Sequence, residues 1–110
     1  MTDDRLYLIH VLECIARIED YVSGGEDSFA KSSLVQDAVL RNLQTLAEST
    51  QRLADALKSE HGEVNWRRIA GLRNVLVHNY LGLDIPQVWQ IIVRELPALK
   101  LSVEAMLRDV

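Results

Sequence analysis

VNWRRIAGLRNVLVHNYLGLD, residues 64–84, has the pattern of one amphipathic helix with its own start and stop. Asn65 is a favourable N-cap residue, and Gly82 follows the last positions of the apolar pattern. We therefore expect a helix that begins near Asn65 and ends at about residue 79 or 80. Asp84 then stands where the N-cap of a further helix would lie. Two helices joined by so few residues favour an α-helical fold with short connections.

The sequence before this segment also has a helical apolar period. We expect a first helix at about residues 3–22 and a long second helix at about 33–61, separated by a loop at 23–32. Ser33 and Gln36 have the spacing of a capping box at the start of the second helix.

Glycine and proline mark the remaining boundaries. Gly62 has the place of a C′ glycine after the second helix, and Pro86 lies in the first turn of the fourth, where its missing N–H costs nothing. Pro97 interrupts an apolar run, so we expect a kink or break near residues 94–96 and a last helix to about Arg108.

The composition fits one globular domain. The chain has 110 residues, of which 48% are hydrophobic and 5% aromatic, so its core must be mostly aliphatic. We expect an all-α, up-and-down bundle of four to five helices as a single domain over residues 1–110. Several helices are apolar on more than one side, which is more than a bundle of this size can bury. A homodimer is therefore expected.

The single cysteine, Cys14, lies in an apolar stretch and is interpreted as a buried thiol. One cysteine excludes an internal disulfide and a multi-cysteine metal site. The sequence contains no apolar run long enough for a membrane span and no pattern of a signal peptide, so a cytoplasmic protein without membrane association is predicted. His10 is interpreted as a structural or surface residue, and His61 as a helix-end residue that faces the helix dipole.

The net charge of −4 argues against a generally basic nucleic-acid-binding surface. Residues 64–83 contain no acidic residue, however, and include Arg67, Arg68, Arg73 and His78. The helix described first is thus the locally positive part of the chain.

On a helical wheel, Arg73 falls in the middle of the apolar arc of this helix, whereas Asn74, His78 and Gly71 fall together on the opposite arc. Asn74 and His78 are four residues apart, so the amide can hydrogen-bond the imidazole. Gly71 keeps the surface on that arc low enough to admit a backbone or a ligand.

Two interpretations of Arg73 remain open from the residues alone. Arg73 could pair with a carboxylate of the second helix, such as Asp37 or Glu48, with His78 as a surface residue. Alternatively, Arg73 holds a phosphate and His78 moves protons. Because the two positions point about 140° apart on one ideal helix, a shared site needs a helix distortion or two chains that meet at a cleft.

The run from Arg73 to Tyr80 has the form R-x-x-x-x-H-x-Y, with Asn74 directly after the arginine. This motif resembles the HEPN superfamily, and within it the HepT-like toxins that pair with a minimal nucleotidyltransferase antitoxin (MntA). The likeness covers nearly the whole chain in order, because the segments LVQDAVLRNLQTLAEST and VWQIIVRELPALK on either side are similar to that family as well.

The resemblance implies an all-α homodimer that acts as a metal-independent endoribonuclease, without a cofactor, at a cleft between the protomers. Arg73 would bind the scissile phosphate, and His78 would act as general acid and base for attack of the RNA 2′-OH. Asn74 would orient His78. Tyr80 matches the tyrosine that the partner nucleotidyltransferase modifies with AMP, which neutralises the toxin.

An alternative function stays open. The dimer could be a catalytically silent HEPN module that docks a nucleotidyltransferase, or holds a nucleotide or RNA without cleaving it. The full motif favours the nuclease, whereas the low net basicity favours the binding module.

Overall fold

The computed structural model describes residues 3–78 and 84–110, and within them the side chains of residues 3–73 and 84–110. Every regular element in these residues is helical, which confirms the predicted all-α fold. The helices are α1 (Asp3–Tyr21), α2 (Glu26–Lys31), α3 (Ser33–Gln51), α4 (Asp55–Glu60), α5 (Trp66–His78), α6 (Ile85–Gln90), a π-helical turn (Ile91–Glu95) and α7 (Leu96–Asp109).

The long helices pack side by side around an aliphatic core. Helix α3 lies between α1 and α5, and α7 covers another side of α1. Asp4 at the start of α1 accepts a hydrogen bond from Ala54 N just after α3, so these two helices run in opposite directions. The side chains with no exposed surface come from α1, α3 and α7 and include Leu8, Val11, Ile18, Val39, Leu43, Leu46, Val103 and Met106.

The predicted long helix at 33–61 is wrong, because α3 ends at Gln51 and a separate short helix, α4, begins at Asp55. Ala54 has an extended backbone between the two. Leu53 and Leu57 are both buried, and the turn brings them to the core. No glycine or proline stands at this break, so tertiary packing determines it.

The expected loop at 23–32 contains the one-and-a-half-turn helix α2, whose Phe29 is buried. The N-cap of α3 is Ser32 rather than Ser33: its Oγ accepts a hydrogen bond from Val35 N at 3.2 Å. Gln36 therefore makes no capping box, and its amide donates to the carbonyls of Phe29 and Ala30. Burial of Phe29 thus stabilises a short helix where the sequence predicted a loop, and this helix packs on α3.

Gly62 does not adopt the left-handed conformation expected of a C′ glycine. Among the described residues, positive φ occurs at Gly25, with φ 91°. His61 ends α4 with φ −126° and ψ 59° instead.

The C-terminal helices form one continuous rod, and Pro97 does not break it. Leu96 N donates to Ile91 O, five residues back, which makes the preceding turn π-helical. Proline has no N–H, and in a regular α-helix its ring would clash with the carbonyl four residues earlier. The wider turn relieves that clash, so the irregularity predicted near 94–96 is present as a π-helical turn.

No helix in the described part of the chain is both long and apolar enough to cross a membrane.

Candidate ribonuclease site on helix α5

Helix α5 is fixed at its start by side-chain hydrogen bonds. Asn65 Oδ1 accepts from Arg68 N at 3.0 Å, so Asn65 is the N-cap that the sequence predicts. The indole Nε1 of Trp66 donates to the carbonyls of Lys58 and His61, both at 3.1 Å, and ties α5 to the end of α4. Ile69 and Leu72 are buried below the helix. The direction of α5, and therefore the position of Arg73, is set by these contacts.

Arg73 is exposed at the edge between α5 and α3. Its Nε lies 3.6 Å from Glu48 Oε1, and the two side chains are 47% and 45% exposed. The pairing with Glu48 that one interpretation of the sequence proposed is thus present. Because water reaches the guanidinium, Arg73 does not carry the desolvation cost that its place in the apolar arc suggested. A phosphate could reach it by displacing the carboxylate.

A shallow cleft of about 340 Å³ surrounds this ion pair, lined by Glu48, Gln51, Arg52 and Arg73. Glu48 and Arg52 also line the neighbouring groove between α1 and α3. Arg52 lies over the ring of Tyr7, with its Cζ 6.0 Å from the ring centroid. Two guanidinium groups and one carboxylate therefore share this small surface.

The other predicted site residues are only partly described. The α5 backbone includes Asn74 and is described as far as His78, so the helix carries both positions. His78 comes five residues after Arg73 in the sequence. The two Cα positions therefore lie about 140° apart around the helix axis. Tyr80 lies outside the described residues.

Arg68 is also paired across helices. Its Nε lies 2.6 Å from Glu95 Oε1, which joins α5 to the π-helical turn. The two ion pairs show that carboxylates from neighbouring helices compensate part of the positive charge that the acid-free sequence of α5 predicted.

A second groove runs along the other side of α5. It has a volume of about 470 Å³ and lies between α5 and the C-terminal rod, with Gly71 on one side and Gln87, Gln90 and Arg94 on the other. The sequence pattern indicated Gly71, but the three residues of the rod were not predicted. The spacing of Gln87, Gln90 and Arg94 could have indicated them, because they follow one another by three and then four residues. With this helical spacing they form a polar stripe in a segment otherwise dominated by apolar residues.

His10 takes part in contacts between helices rather than in this site. Its Nδ1 lies 2.6 Å from Ser49 Oγ, and its Nε2 lies 3.7 Å from Cys14 Sγ. Cys14 is fully buried, and burial raises the pKa of its thiol. Both residues therefore have structural surroundings, as the sequence predicts.

His61 lies near two carboxylates at the end of α4, with Nδ1 3.5 Å from Glu63 Oε2 and Nε2 3.8 Å from Asp109 Oδ2. The pKa of Glu63 is lowered, first by its own backbone N–H and then by His61. This small cluster joins α4 to the end of α7, away from Arg73.

No group of three His, Cys, Asp or Glu side chains that could hold a metal ion occurs within residues 3–73 and 84–110.

A helical bundle that carries an exposed arginine and, five residues later, a histidine on one helix has the features of HEPN-type ribonucleases. Comparison with known proteins gives the family. The chain belongs to the HepT-like ribonuclease family, whose model, described as "Ribonuclease HepT-like", matches residues 11–106.

Individual relatives agree with this assignment. A protein of Caldanaerobacter subterraneus named as a candidate RNase is 32% identical over 98% of this chain and 97% of its own length. One of Thermococcus cleftensis named as a candidate ribonuclease HepT is 30% identical over 86% of each chain. In Methanocaldococcus jannaschii, a protein named as a gamma-glutamylcyclotransferase and candidate RNase is 32% identical over 89% of this chain, which spans 45% of that relative. No solved structure matches significantly.

Proposed function

We propose that this chain is the endoribonuclease toxin of a toxin–antitoxin pair and cuts RNA without a metal ion. The observation that carries the proposal is the exposed guanidinium of Arg73 on the helix that bears His78 five residues later. Membership of the HepT-like ribonuclease family supports the same activity.

The chemistry requires a proton acceptor, a proton donor and a stabiliser of negative charge. The RNA 2′-oxygen attacks the neighbouring phosphorus and loses its proton to a histidine, while the bond from phosphorus to the 5′-oxygen breaks. That oxygen leaves with a proton from a protonated histidine, and a 2′,3′-cyclic phosphate remains. In the proposal His78 serves these proton transfers, Asn74 orients it, and Arg73 stabilises the charge that develops on the phosphoryl oxygens.

A homodimer would bring these groups together. On one α-helix the positions of Arg73 and His78 diverge by about 140°, so a cleft between two copies of α5 allows the arginine of one protomer to face the histidine of the other. Exposed apolar side chains on the described surface, among them Leu6 at 64% and Ile9 at 37%, supply area for such an association.

A cleavage assay in EDTA tests the nuclease. Purified protein should cut cellular RNA, and His78→Ala should reduce the rate by about 10²-fold or more, the usual contribution of general acid–base catalysis. His61→Ala is the matched control, because it removes another helix-end histidine that lies by Glu63 and Asp109. Cleavage that persists undiminished in His78→Ala, or is absent from the wild type, would contradict the proposal.

Regulation by a cognate MntA-like nucleotidyltransferase is the second part of the proposal, with Tyr80 as the residue that receives AMP. The tyrosine oxygen would attack the α-phosphorus of ATP, lose its proton and release pyrophosphate. The new phosphodiester would add negative charge two residues after His78 in the sequence and would repel RNA.

Mass spectrometry after incubation with the partner and ATP tests this step. The wild-type chain should gain the mass of AMP, and Tyr80→Phe should not. Tyr21→Phe is a suitable control, because Tyr21 is 39% exposed in a different helix. Modification of Tyr7 or Tyr21 in place of Tyr80 would refute the assignment.

The compensated charge of α5 favours a second candidate, a silent module that docks the nucleotidyltransferase or holds a nucleotide or RNA without cutting it. Arg68 and Arg73 already face Glu95 and Glu48. This candidate predicts a stable complex with the partner together with no cleavage of any cellular RNA.

A further inference from the structure

The groove between α5 and the C-terminal rod has the size and lining of a ligand site. Its volume of about 470 Å³ is within the range of small-molecule sites. We call it the Gly71 groove; its lining residues are Arg68, Gly71, Leu72, Gln87, Gln90, Ile91, Arg94 and Glu95.

Gly71 leaves open space on the α5 side of the groove. Beyond the adjoining residues and the backbone of its own helix, a Cβ atom placed on this residue would have no atom of the described residues within 4 Å. Glycine inside a helix is unfavourable relative to alanine, and no packing contact in the described structure requires its small size here. A flat ligand could use this space to approach the backbone of α5 at Gly71.

The opposite wall offers groups that recognise polar ligands. Gln87, Gln90 and Arg94 are exposed and form one stripe along the rod. Glu95 is already paired with Arg68, which leaves Arg94 as the cation of this wall. The π-helical turn that carries Arg94 and Glu95 is a feature often found at functional sites.

The position of the groove relates it to the proposed catalytic residue. Gly71 and His78 are seven residues apart in α5, so their Cα positions lie on the same face of the helix, about 10 Å apart along its axis. Arg73 faces α3 instead. An RNA strand with its scissile phosphate near His78 could therefore continue along this face into the groove.

We propose that the Gly71 groove binds a nucleobase next to the scissile phosphate and thereby determines which RNA sequences are cut. This inference rests on the proposed ribonuclease function. A glutamine amide offers both a donor and an acceptor to a base edge, and an arginine guanidinium can stack on a base or bind the adjoining phosphate. A helix of a partner protein fits the groove less well, because its apolar lining residues Leu72 and Ile91 are only 6% and 8% exposed.

The test compares sequence preference rather than total activity. A pool of single-stranded RNA oligonucleotides of random sequence is digested, and the nucleotides around each cut are read by sequencing. Gln90→Ala and Arg94→Ala should reduce kcat/KM for the preferred sequences by about five- to a hundredfold and flatten the preference at one nucleotide position. Gln44→Ala on α3 and Arg108→Ala near the end of α7 make the same changes away from the groove, so both should keep the wild-type preference.

Gly71→Ala distinguishes an effect on RNA binding from an effect on the stability of the fold. The added methyl group meets none of the described side chains, so the melting temperature should stay equal or rise, while affinity for the preferred RNA falls. Binding is measured by fluorescence anisotropy with an oligonucleotide that carries 2′-deoxyribose at the cut position. An unchanged preference in Gln90→Ala and Arg94→Ala, with wild-type cleavage intact, would overturn the groove proposal alone.

Two other outcomes are distinguishable. If the wild type binds RNA selectively but does not cut it, and the groove variants lose that selectivity, the groove binds a nucleobase as proposed. The nuclease proposal then fails, and with it the role of the groove in determining which sequences are cut. If the variants keep their RNA preference but lose affinity for the nucleotidyltransferase, the groove is a protein-docking surface and its assignment to a nucleobase is refuted.

Discussion

Replacement of Glu48 by glutamine tests whether this carboxylate competes with RNA for Arg73. The substitution keeps the side-chain shape and removes one negative charge 3.6 Å from Arg73 Nε. Since both side chains are nearly half exposed, solvent screens the pair, and its contribution to stability should be about 0.2–1 kcal/mol. The free energy of unfolding should therefore fall by less than about 1 kcal/mol.

The free energy of the ion pair between Glu48 and Arg73 also determines the expected gain in RNA affinity. A phosphate that binds Arg73 in the wild type must first separate it from Glu48, whereas in Glu48→Gln this cost is absent. A difference of about 0.2–1 kcal/mol corresponds to binding that is about 1.4- to 5-fold tighter. The gain should shrink as salt is added, because screening weakens the pair as well.

Anisotropy with an uncleavable RNA at several salt concentrations measures this change. Glu19→Gln is a matched control: it removes the same charge from another exposed pair, with Lys100 Nζ 3.1 Å from Glu19 Oε2. A loss of affinity or of cleavage in Glu48→Gln, beyond any change in Glu19→Gln, would refute the reasoning. It would mean that Glu48 holds Arg73 in its productive orientation.

Three further predictions concern stability. Leu46 is completely buried, so Leu46→Ala should lower the free energy of unfolding in urea by about 2–5 kcal/mol, whereas Leu34→Ala, at a side chain 80% exposed, should change it little. Asp84 accepts a hydrogen bond from Gln87 N at 3.2 Å, and Asp84→Ala should cost about 0.5–2 kcal/mol, with Asp84→Asn as the variant that restores the cap. Burial raises the pKa of Cys14 above its ordinary value of 9.0, so the protonated thiol contributes stability that is complete below pH 9.0 and is lost as the pH rises further. Denaturant titrations from pH 8 to 10 should show this decline, and Cys14→Ser, which does not ionise there, should lessen it.

The parts of the fold that local chemistry controls were predictable from the sequence. The N-caps at Asn65 and Asp84 are present, and α1 ends within one residue of the expected position. The break after Gln51 was not predictable from glycine or proline. Its nearest local signal is the Ser49–Thr50 pair, since Thr50 Oγ1 donates to Ala47 O and such bonds compete with helical ones. What turns the chain is the burial of Leu53, a tertiary contact.

The surroundings of Arg73 were predictable in part. The wheel predicts that Arg73 and His78 occupy different arcs of α5. The acidic residues of the second helix gave Asp37 or Glu48 as possible partners of Arg73, and the partner in the structure is Glu48. It could not show that Arg73 would be exposed, because exposure depends on how far α3 covers α5. The Gly71 groove was missed for a related reason: its walls come from two helices, and their apposition is set by the fold rather than by the pattern of either helix.

The π-helical turn at Ile91–Glu95 also marks the place where this chain can lose a residue without disturbing its core. Such a turn accommodates one residue more than α-helical geometry does, without rotating the helix beyond it. A deletion of one residue there, combined with Pro97→Ala, would restore a regular α-helix and leave Leu99 and Val103 facing the core. The same deletion elsewhere in the rod would turn every later side chain by about 100°. Once Pro97 is replaced, this protein can thus lose one residue at Ile91–Glu95 while the bundle keeps its core.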